Sequence, residues 1–248
     1  MLLAASIAAN AAVLPYALSL GALRAAEPPV SLPVAIVIQI LQATLFFAIA
    51  IFTGLFLGQK VGLGAPIIGA WLRAEPIRGK VKPILRLSCV LGIVVAIAVF
   101  VLDRFVFSIF VEPITPFQAA HPLWQRMLAC FYGAIGEEIG LRLFIMTVFV
   151  WLTYKIARTK NNEPTAVGVW LSIILVSVVF GLGHLPMTSL FMEITAAVVA
   201  RAIILNGIAG MVFGWLYWNK GLESAMISHF SADIVLHVLL PSLIYLAR

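Results

Sequence analysis

The sequence has very few charged residues. Only 10% of its 248 residues are Asp, Glu, Lys or Arg, and 63% are hydrophobic, with a mean hydropathy of +1.11. Soluble domains carry about 25% charged residues, so a water-soluble globule is excluded. Apolar runs of roughly 20 residues, enough to cross a bilayer core as a helix, recur along the chain. The sequence therefore predicts an all-α, polytopic transmembrane helix bundle, an integral multi-pass membrane protein in contact with the lipid bilayer.

Cysteines and basic clusters are also scarce. The two cysteines, Cys89 and Cys130, lie in apolar segments and predict neither a disulfide framework nor a cysteine metal site. The net charge is +6, but the basic residues lie between apolar segments and form no basic stripe with aromatic residues. We therefore expect no nucleic-acid partner. The N-terminal segment lacks the basic start of a secretory signal, and we interpret it as a first span.

Seven apolar segments are long enough to span a membrane. An additional stretch, 61–71, is short and rich in Gly and Pro, so we expect it to be re-entrant or interfacial, which leaves an eighth membrane segment open. We interpret 1–248 as a single membrane domain, with N-terminal helices over 1–124 and a catalytic helix core over 125–240. The seven predicted segments are 2–23, 33–58, 87–110, 125–154, 166–185, 194–218 and 224–246.

The basic residues predict an orientation. With seven spans, ten of them fall on one side of the membrane and four on the other, which places the richer side and the N-terminus in the cytoplasm. The richer side has Lys60, Arg73, Arg78, Lys80, Lys82, Arg86, Lys155, Arg158, Lys160 and Lys220. The other side has Arg24, Arg104, Arg126 and Arg248, and the spans contain Arg142 and Arg201.

Titratable residues do occur inside the apolar segments, and they concentrate in the second half of the chain. Such residues are costly in a membrane and are functional candidates by default. Glu138 and Arg142 are four residues apart and share a helical face, while Glu137 is turned by about 100° from Glu138. His229 and Asp233 repeat the spacing, so the carboxylate is expected to orient the imidazole. The set is Glu137, Glu138, Arg142, His184, Arg201, His229, Asp233 and His237.

Structural roles compete with catalytic ones for these residues. A Glu–Arg pair is often a tie between helices, and a lone histidine is often a satisfied interior residue. We expect Arg201 to neutralise Glu193 or Asp233, and His237 to be structural or interfacial. Two adjacent carboxylates in a low dielectric resist ionising together, so one is expected to bind a proton more readily than an isolated carboxylate, which suits a group that takes and returns a proton. Three segments thus each supply one part of a carboxylate–histidine–histidine site.

The predicted topology conflicts with such a site in one respect. It places His184 near the outer end of the fifth segment and His229 near the inner start of the seventh. Side chains of one site must meet, so we expect the predicted boundaries to be in error here.

The three motifs together resemble a known family. "EEIGLR" begins at Glu137, "FGLGH" runs from Phe180 to His184, and "HFSAD" runs from His229 to Asp233. In this order, on separate apolar segments, they resemble the EExxxR, FxxxH and HxxxN/D pattern of the CPBP or Abi family of intramembrane CAAX-protease-like endopeptidases, which includes the Ras-converting CAAX endopeptidases.

The resemblance implies a function and roles for the motif residues. Glu137 or Glu138 would activate the attacking water with His184 as partner, and His229 and Asp233 would line the site and stabilise the oxyanion. Arg142 would hold a glutamate, and Phe180 would support the site. The Ras-converting members have Asn in place of Asp233, and an ionised Asp cannot donate a hydrogen bond. The substrate would be a membrane-tethered peptide or a lipidated protein, including a prenylated CAAX-type C-terminus.

Other interpretations stay open. No HExxH motif is present, so no cofactor is expected, but Glu138, His184 and His229 would be a reasonable zinc set, with Asp233 beside it. A transporter could use the same residues as a proton relay, although the two halves show no repeat. A catalytically silent scaffold, such as an immunity protein, is the third alternative.

Overall fold

The structure is a computed structural model, and it describes residues 1–20, 30–112 and 121–246. Within these ranges the chain is almost entirely helical and contains no β-strand. Seven helices are long and apolar enough to span a membrane. This confirms the predicted all-α polytopic bundle. The orientation counted Arg24 and Arg248, which lie outside the described ranges, and the cytoplasmic N-terminus and the division between 1–124 and 125–240 stay predictions.

The helix bounds differ from the predicted segments mostly by a few residues. The largest difference is the start of the third span, predicted at 87 but found at Arg78, because its first two turns are basic and a search for apolar runs passes over them. The helices are α1 (Leu2–Ser19), α2 (Leu32–Val61), α3 (Pro66–Leu72), α4 (Arg78–Phe105), α5 (Leu123–Ile156), α6 (Ala166–Gly183), α7 (Leu185–Thr188), α8 (Ala196–Lys220) and α9, which is α-helical over Leu222–Asp233, π-helical over Ile234–Leu239 and α-helical again over Leu240–Leu246.

Helix α3 accounts for the stretch that left an eighth segment open. It has seven residues, too few to span a bilayer. The Ile68 amide donates to the Glu223 carboxylate over 2.7 Å, and the Leu222 amide donates to the Gly64 carbonyl over 2.9 Å. The turn between α8 and α9 has Gly221 at φ +94°, in the left-handed region. The short helix is therefore fixed against the first turn of α9.

Small residues let the helices around the site pack closely. A Cβ at Gly210 of α8 would lie 2.8 Å from the Ser177 hydroxyl of α6, and one at Gly181 would lie 2.6 Å from the Ile203 Cα. Between α4 and α9, the Ser88 and Ser224 hydroxyls share a buried hydrogen bond of 2.7 Å. Close backbone approach is how helices associate where lipid tails are as apolar as the side chains.

Helix α2 separates the bundle from lipid. Phe52 and Leu45 are 73% and 64% exposed on one face, which suits contact with acyl chains. On the other face Phe47 and Ala50 are buried, and Gly54 lies directly against Leu143 of α5. Helix α5 thus has α2 on one side and, through the contacts described next, α6, α8 and α9 on the other.

Candidate active site

The two adjacent carboxylates of α5 lie in a region of widened helical turns. Gly133–Glu137 and Ile139–Met146 are π-helical, with Glu138 between them. Such π turns are rare and frequently mark functional sites. The Glu138 side chain is completely buried, whereas the Glu137 side chain is 27% exposed. The two neighbours therefore face different surroundings, as their angular offset predicted.

Two cationic or donor groups hold the buried carboxylate. Arg142 Nη1 lies 3.3 Å from Glu138 Oε1, and His229 Nδ1 lies 2.8 Å from the same oxygen. The i,i+4 pair is the one that the spacing predicted. Since a carboxylate accepts, His229 Nδ1 carries the proton in this contact, and Nε2 is then an acceptor in the neutral ring and a donor in the imidazolium form.

The Arg142 side chain is almost completely enclosed by protein. Its side chain is 1% exposed, and its Nη2 donates to the Gly210 carbonyl over 3.2 Å. The guanidinium carbon lies 5.0 Å from the Phe180 ring centroid and 5.5 Å from that of Phe213. Cation–π contacts of this kind are strongest where the cation is desolvated. The arginine therefore joins α5 to α6 and α8 as well as holding Glu138.

His229 stands at the centre of the cluster. Its ring stacks on Phe213 with centroids 4.7 Å apart and meets the Phe180 ring edge-on at 5.7 Å. Its Nε2 faces two further carboxylates: Glu137 Oε2 at 3.8 Å and Asp233 Oδ1 at 3.6 Å. Both separations exceed a direct hydrogen bond. Glu138 rather than Asp233 thus orients the imidazole, contrary to the expectation from the four-residue spacing.

Asp233 lies between two histidines and against a glycine. Its Oδ1 is 3.6 Å from Nε2 of both His229 and His237. A Cβ at Gly133 would fall 2.5 Å from Asp233 Oδ2 and 3.2 Å from His229 Nε2. The bare backbone of α5 therefore comes up to this edge of the site. His237, 40% exposed, belongs to the same cluster as Asp233, as its spacing of four residues indicates.

His184 reaches the cluster through Phe180. The helix α6 ends at Gly183, and the His184 Nδ1 lies 2.8 Å from the Phe180 carbonyl, to which it donates. The Phe180 ring lies 4.9 Å from the His184 ring and 5.7 Å from the His229 ring. The two histidines thus flank one aromatic side chain, which removes the conflict raised by the predicted topology, since His229 lies two turns inside α9.

Some predicted contacts are not found. Arg201 binds Asp103 of α4 through two bonds of 2.6 and 2.9 Å, so the expected pairing with Glu193 or Asp233 is wrong. The reason is that α8 packs along α4 at this level, far in sequence from either candidate. Arg201 therefore ties two helices and does not belong to the site.

The residues of the zinc alternative do not converge. Glu138 and His229 touch, but His184 makes no hydrogen bond or ion pair with either of them in the described ranges. No group of three or more His, Cys, Asp or Glu side chains is placed to hold a metal among the residues that the structure describes. The donor set is therefore not arranged as a ligand sphere, and a metal-independent reaction stays a prediction.

Sequence reasoning missed residues that carry no charge. Phe213 stacks on His229, Gly210 receives the arginine and Gly133 borders Asp233. An aromatic or a glycine in an apolar span gives no signal of its own, because the same residue types fill lipid-facing and core positions throughout the chain.

Comparison with known families agrees with the three motifs. A family model described as type II CAAX prenyl endopeptidase Rce1-like matches residues 119–235, which contain all three motifs from Glu137 to Asp233. No curated protein and no solved structure gives a significant match. The part of the chain that contains the site is therefore similar to type II CAAX prenyl endopeptidases, in agreement with the resemblance of its three motifs.

Proposed function

We propose that this protein hydrolyses a peptide bond near the C-terminus of a membrane-tethered substrate, with a prenylated CAAX-type chain as the first candidate. The observation that carries the proposal is the division of labour between two adjacent glutamates: one is buried and held by Arg142 and His229, and the other is partly exposed beside the free edge of His229. The family match supports the same substrate class.

In the proposed mechanism Glu137 is the general base. Its carboxylate takes a proton from a water molecule as the water oxygen attacks the scissile carbonyl carbon. The partial exposure of Glu137 supports this assignment, because a base must reach both water and substrate. The fully buried Glu138 keeps its negative charge beside Arg142 and sets the position of His229. This separates the two roles that the sequence left open between the glutamates.

The oxyanion of the tetrahedral intermediate would be stabilised at His229 Nε2. With Nδ1 bonded to Glu138, the imidazolium form donates from Nε2 towards the side where Glu137 and Asp233 lie. When the C–N bond breaks, the proton taken by Glu137 passes to the leaving amine nitrogen, directly or through His184. The products are a new C-terminal carboxylate and a free amine. The second hydrogen of the water stays on the new carboxyl group until that group ionises, and its proton passes to the amine, which leaves as an ammonium ion.

The experiment is hydrolysis by the purified protein in proteoliposomes. A prenylated CAAX peptide, the same peptide without the prenyl group, and a peptide tethered through an N-terminal transmembrane helix should be compared at equal membrane density. We expect cleavage of at least one tethered substrate and loss of cleavage in Glu137→Gln. Glu163→Gln, an exposed carboxylate in the loop after α5, is the matched control. Cleavage that survives Glu137→Gln unchanged would contradict the proposal.

A further inference from the structure

A cavity of about 320 Å³ lies between α1, α2 and α5, on helices to which the charged motifs assign no role. Its size is at the lower end of small-molecule and cofactor sites, so it accommodates a short segment and not a whole substrate. Its wall combines side-chain amides with aromatic rings. The amides are those of Asn10, Gln39 and Gln42, and the rings are those of Phe46, Phe47 and Tyr132, with Gly136 beside them.

The amides of this cavity lack partners. Asn10 is buried at 7% exposure, and neither its Oδ1 nor the Oε1 of Gln39 has a hydrogen-bond partner within the described part of the chain. The side-chain amides of α8 behave differently. Asn206 and Asn219 each donate to the carbonyl four residues before them. Buried polar groups without partners are rare in proteins and call for an explanation.

The hydroxyls near the cavity sharpen this contrast. Ser6 on α1 donates to the Leu2 carbonyl over 2.9 Å, and Thr44 on α2 donates to the Ile40 carbonyl over 2.7 Å. These polar side chains on the same two helices are satisfied by their own helix. Among the buried side-chain polar atoms of α1 and α2, Asn10 Oδ1 and Gln39 Oε1 are the ones without a partner in the described ranges, and both residues line the cavity.

The cavity adjoins the exposed glutamate of the site. Gly136, which lines it, directly precedes Glu137, and Tyr132 lies five residues before Glu137 along the π turn Gly133–Glu137, so both fall on one face of that turn. The buried Glu138 faces away, towards Arg142 and α8. Cavity and proposed general base therefore share a side of α5.

The absence of a side chain at Gly136 lets the rings of Tyr132 and Phe47 approach the α5 backbone at the cavity. A Cβ there would lie 2.9 Å from the Tyr132 ring and 3.3 Å from the Phe47 ring. A larger residue would therefore displace the Tyr132 ring and crowd the Phe47 ring, both of which line the cavity. The backbone turn that leads to Glu137 is thus the floor of the cavity.

We propose that this cavity binds the polypeptide backbone of the substrate next to the scissile bond. A side-chain amide offers one acceptor and a pair of donors, which matches the carbonyl and N–H of a peptide group. An extended peptide that enters the bilayer loses the water bound to its carbonyl and N–H groups, so these groups need hydrogen-bond partners in the protein. A prenyl chain is a hydrocarbon and forms no such bonds. Phe46 and Phe47 supply apolar contact for a side chain of the bound segment. The inference rests on the proposed peptidase function.

The test combines variants of the cavity with substrates altered in the backbone. Asn10→Leu and Gln39→Met remove the amides while keeping side-chain volume, and Asn219→Leu removes an amide bonded within its own helix on the exposed end of α8. The substrates are a cleavable tethered peptide and the same peptide N-methylated at residues flanking the scissile bond. We expect the KM of Asn10→Leu and Gln39→Met to rise about tenfold, the effect of losing one good hydrogen bond, with kcat and the KM of Asn219→Leu unchanged.

The double comparison separates the possible outcomes. N-methylation should weaken binding by the wild-type protein but add little in Asn10→Leu or Gln39→Met, because the two changes remove the same contact. The Kd of each peptide for Glu137→Gln, measured by fluorescence, gives the affinity without interference from cleavage. If the effects of the substitution and of N-methylation on KM were additive, the inference would be overturned. It would also be overturned if the activity of the cavity variants depended on the lipid headgroup and not on N-methylation. If the wild-type protein cleaved no substrate, the proposed function itself would fail, while unchanged KM in active variants would reject only the cavity.

Discussion

The two walls of the site on α5 differ in almost every physical property. The wall around Glu138 is closed: the carboxylate, Arg142 and Phe213 are buried, and the guanidinium lies against the rings of Phe180 and Phe213. The wall around Glu137 is open: its carboxylate and the His237 ring are partly exposed, Glu137 lies 3.8 Å from His229 Nε2, and Asp233 lies 3.6 Å from both His229 and His237. The comparison teaches that one residue of rotation on a helix can place one carboxylate in a buried, closed environment and its neighbour at an open edge.

The largest expected effect is on the open wall. Glu137→Gln is expected to lower kcat about 10³-fold, within the range of general acid–base catalysis, without changing the thermal midpoint, because this side chain is partly exposed and makes no hydrogen bond within the described ranges. Activity in proteoliposomes and thermal unfolding in detergent are the measurements. Wild-type kcat in Glu137→Gln would remove the distinction between the walls.

The closed wall should respond in stability. Arg142→Met leaves the Glu138 carboxylate buried without its cation, and breaking a buried pair costs about 3–5 kcal/mol. Denaturant unfolding in mixed micelles measures this loss. Arg201→Met is the matched variant, since Arg201 pairs with Asp103 away from the site. We expect Arg201→Met to lose stability but keep kcat, whereas equal loss of kcat in both variants would show that the arginine at the site has no special role.

A methyl group tests the edge where the two walls meet. Gly133→Ala would place a carbon 2.5 Å from Asp233 and 3.2 Å from His229 Nε2, and a displacement of catalytic groups by about 1 Å costs up to about 10²-fold. We therefore expect kcat to fall by tenfold to a hundredfold. Gly183→Ala meets nothing within 4 Å and serves as the control. Equal kcat in the two variants would mean that this edge tolerates movement.

Asp233→Asn should be mild. Asparagine still accepts and adds a donor near His229 Nε2, so we expect less than about tenfold loss of kcat, the size of one altered hydrogen bond. His229→Ala, by contrast, removes the group that both walls share and should be inactive. If Asp233→Asn proved as inactive as His229→Ala, an ionised Asp233 would be essential, and a proton relay or a metal site would gain support.

The smallest expected effect is that of metal removal, which we expect to leave kcat unchanged. Buried sites exchange metal slowly, so elemental analysis of active protein is the decisive measurement. Near-stoichiometric zinc that falls in His184→Ala and His229→Ala would overturn the glutamate mechanism.

Much of the fold follows from local properties of the chain. Hydropathy predicts seven spans because each helix satisfies its own backbone in lipid, so each span can be recognised without its neighbours. Hydropathy does not find the part of a helix that is polar, such as the basic start of α4. It also does not find a short helix such as α3, which is held by Glu223 from a distant segment. The predicted partners of Arg201 were wrong for the same reason, because no local pattern indicates that it pairs with Asp103.

The amides of α1 and α2 give another example of this limit. Uncharged Asn10 and Gln39 in apolar helices predict no site, and the chemistry was expected only within 125–240. Their significance comes from lying beside Gly136 across a helix interface. Conversely, the three motifs were recognisable because each combines titratable residues at helical spacing in a medium that excludes them.

The sequence by itself determined the helical bundle, the three motifs, and the i,i+4 contact of Glu138 with Arg142, because these depend on composition and on neighbours within one or two helical turns. Only the tertiary structure decided that Glu138 and not Asp233 orients His229, that Phe180 lies between two histidines, and that Glu137 remains partly exposed. Those contacts join residues as many as 91 positions apart. Their geometry is set by how closely the small residues of α5, α6, α8 and α9 let the helices approach.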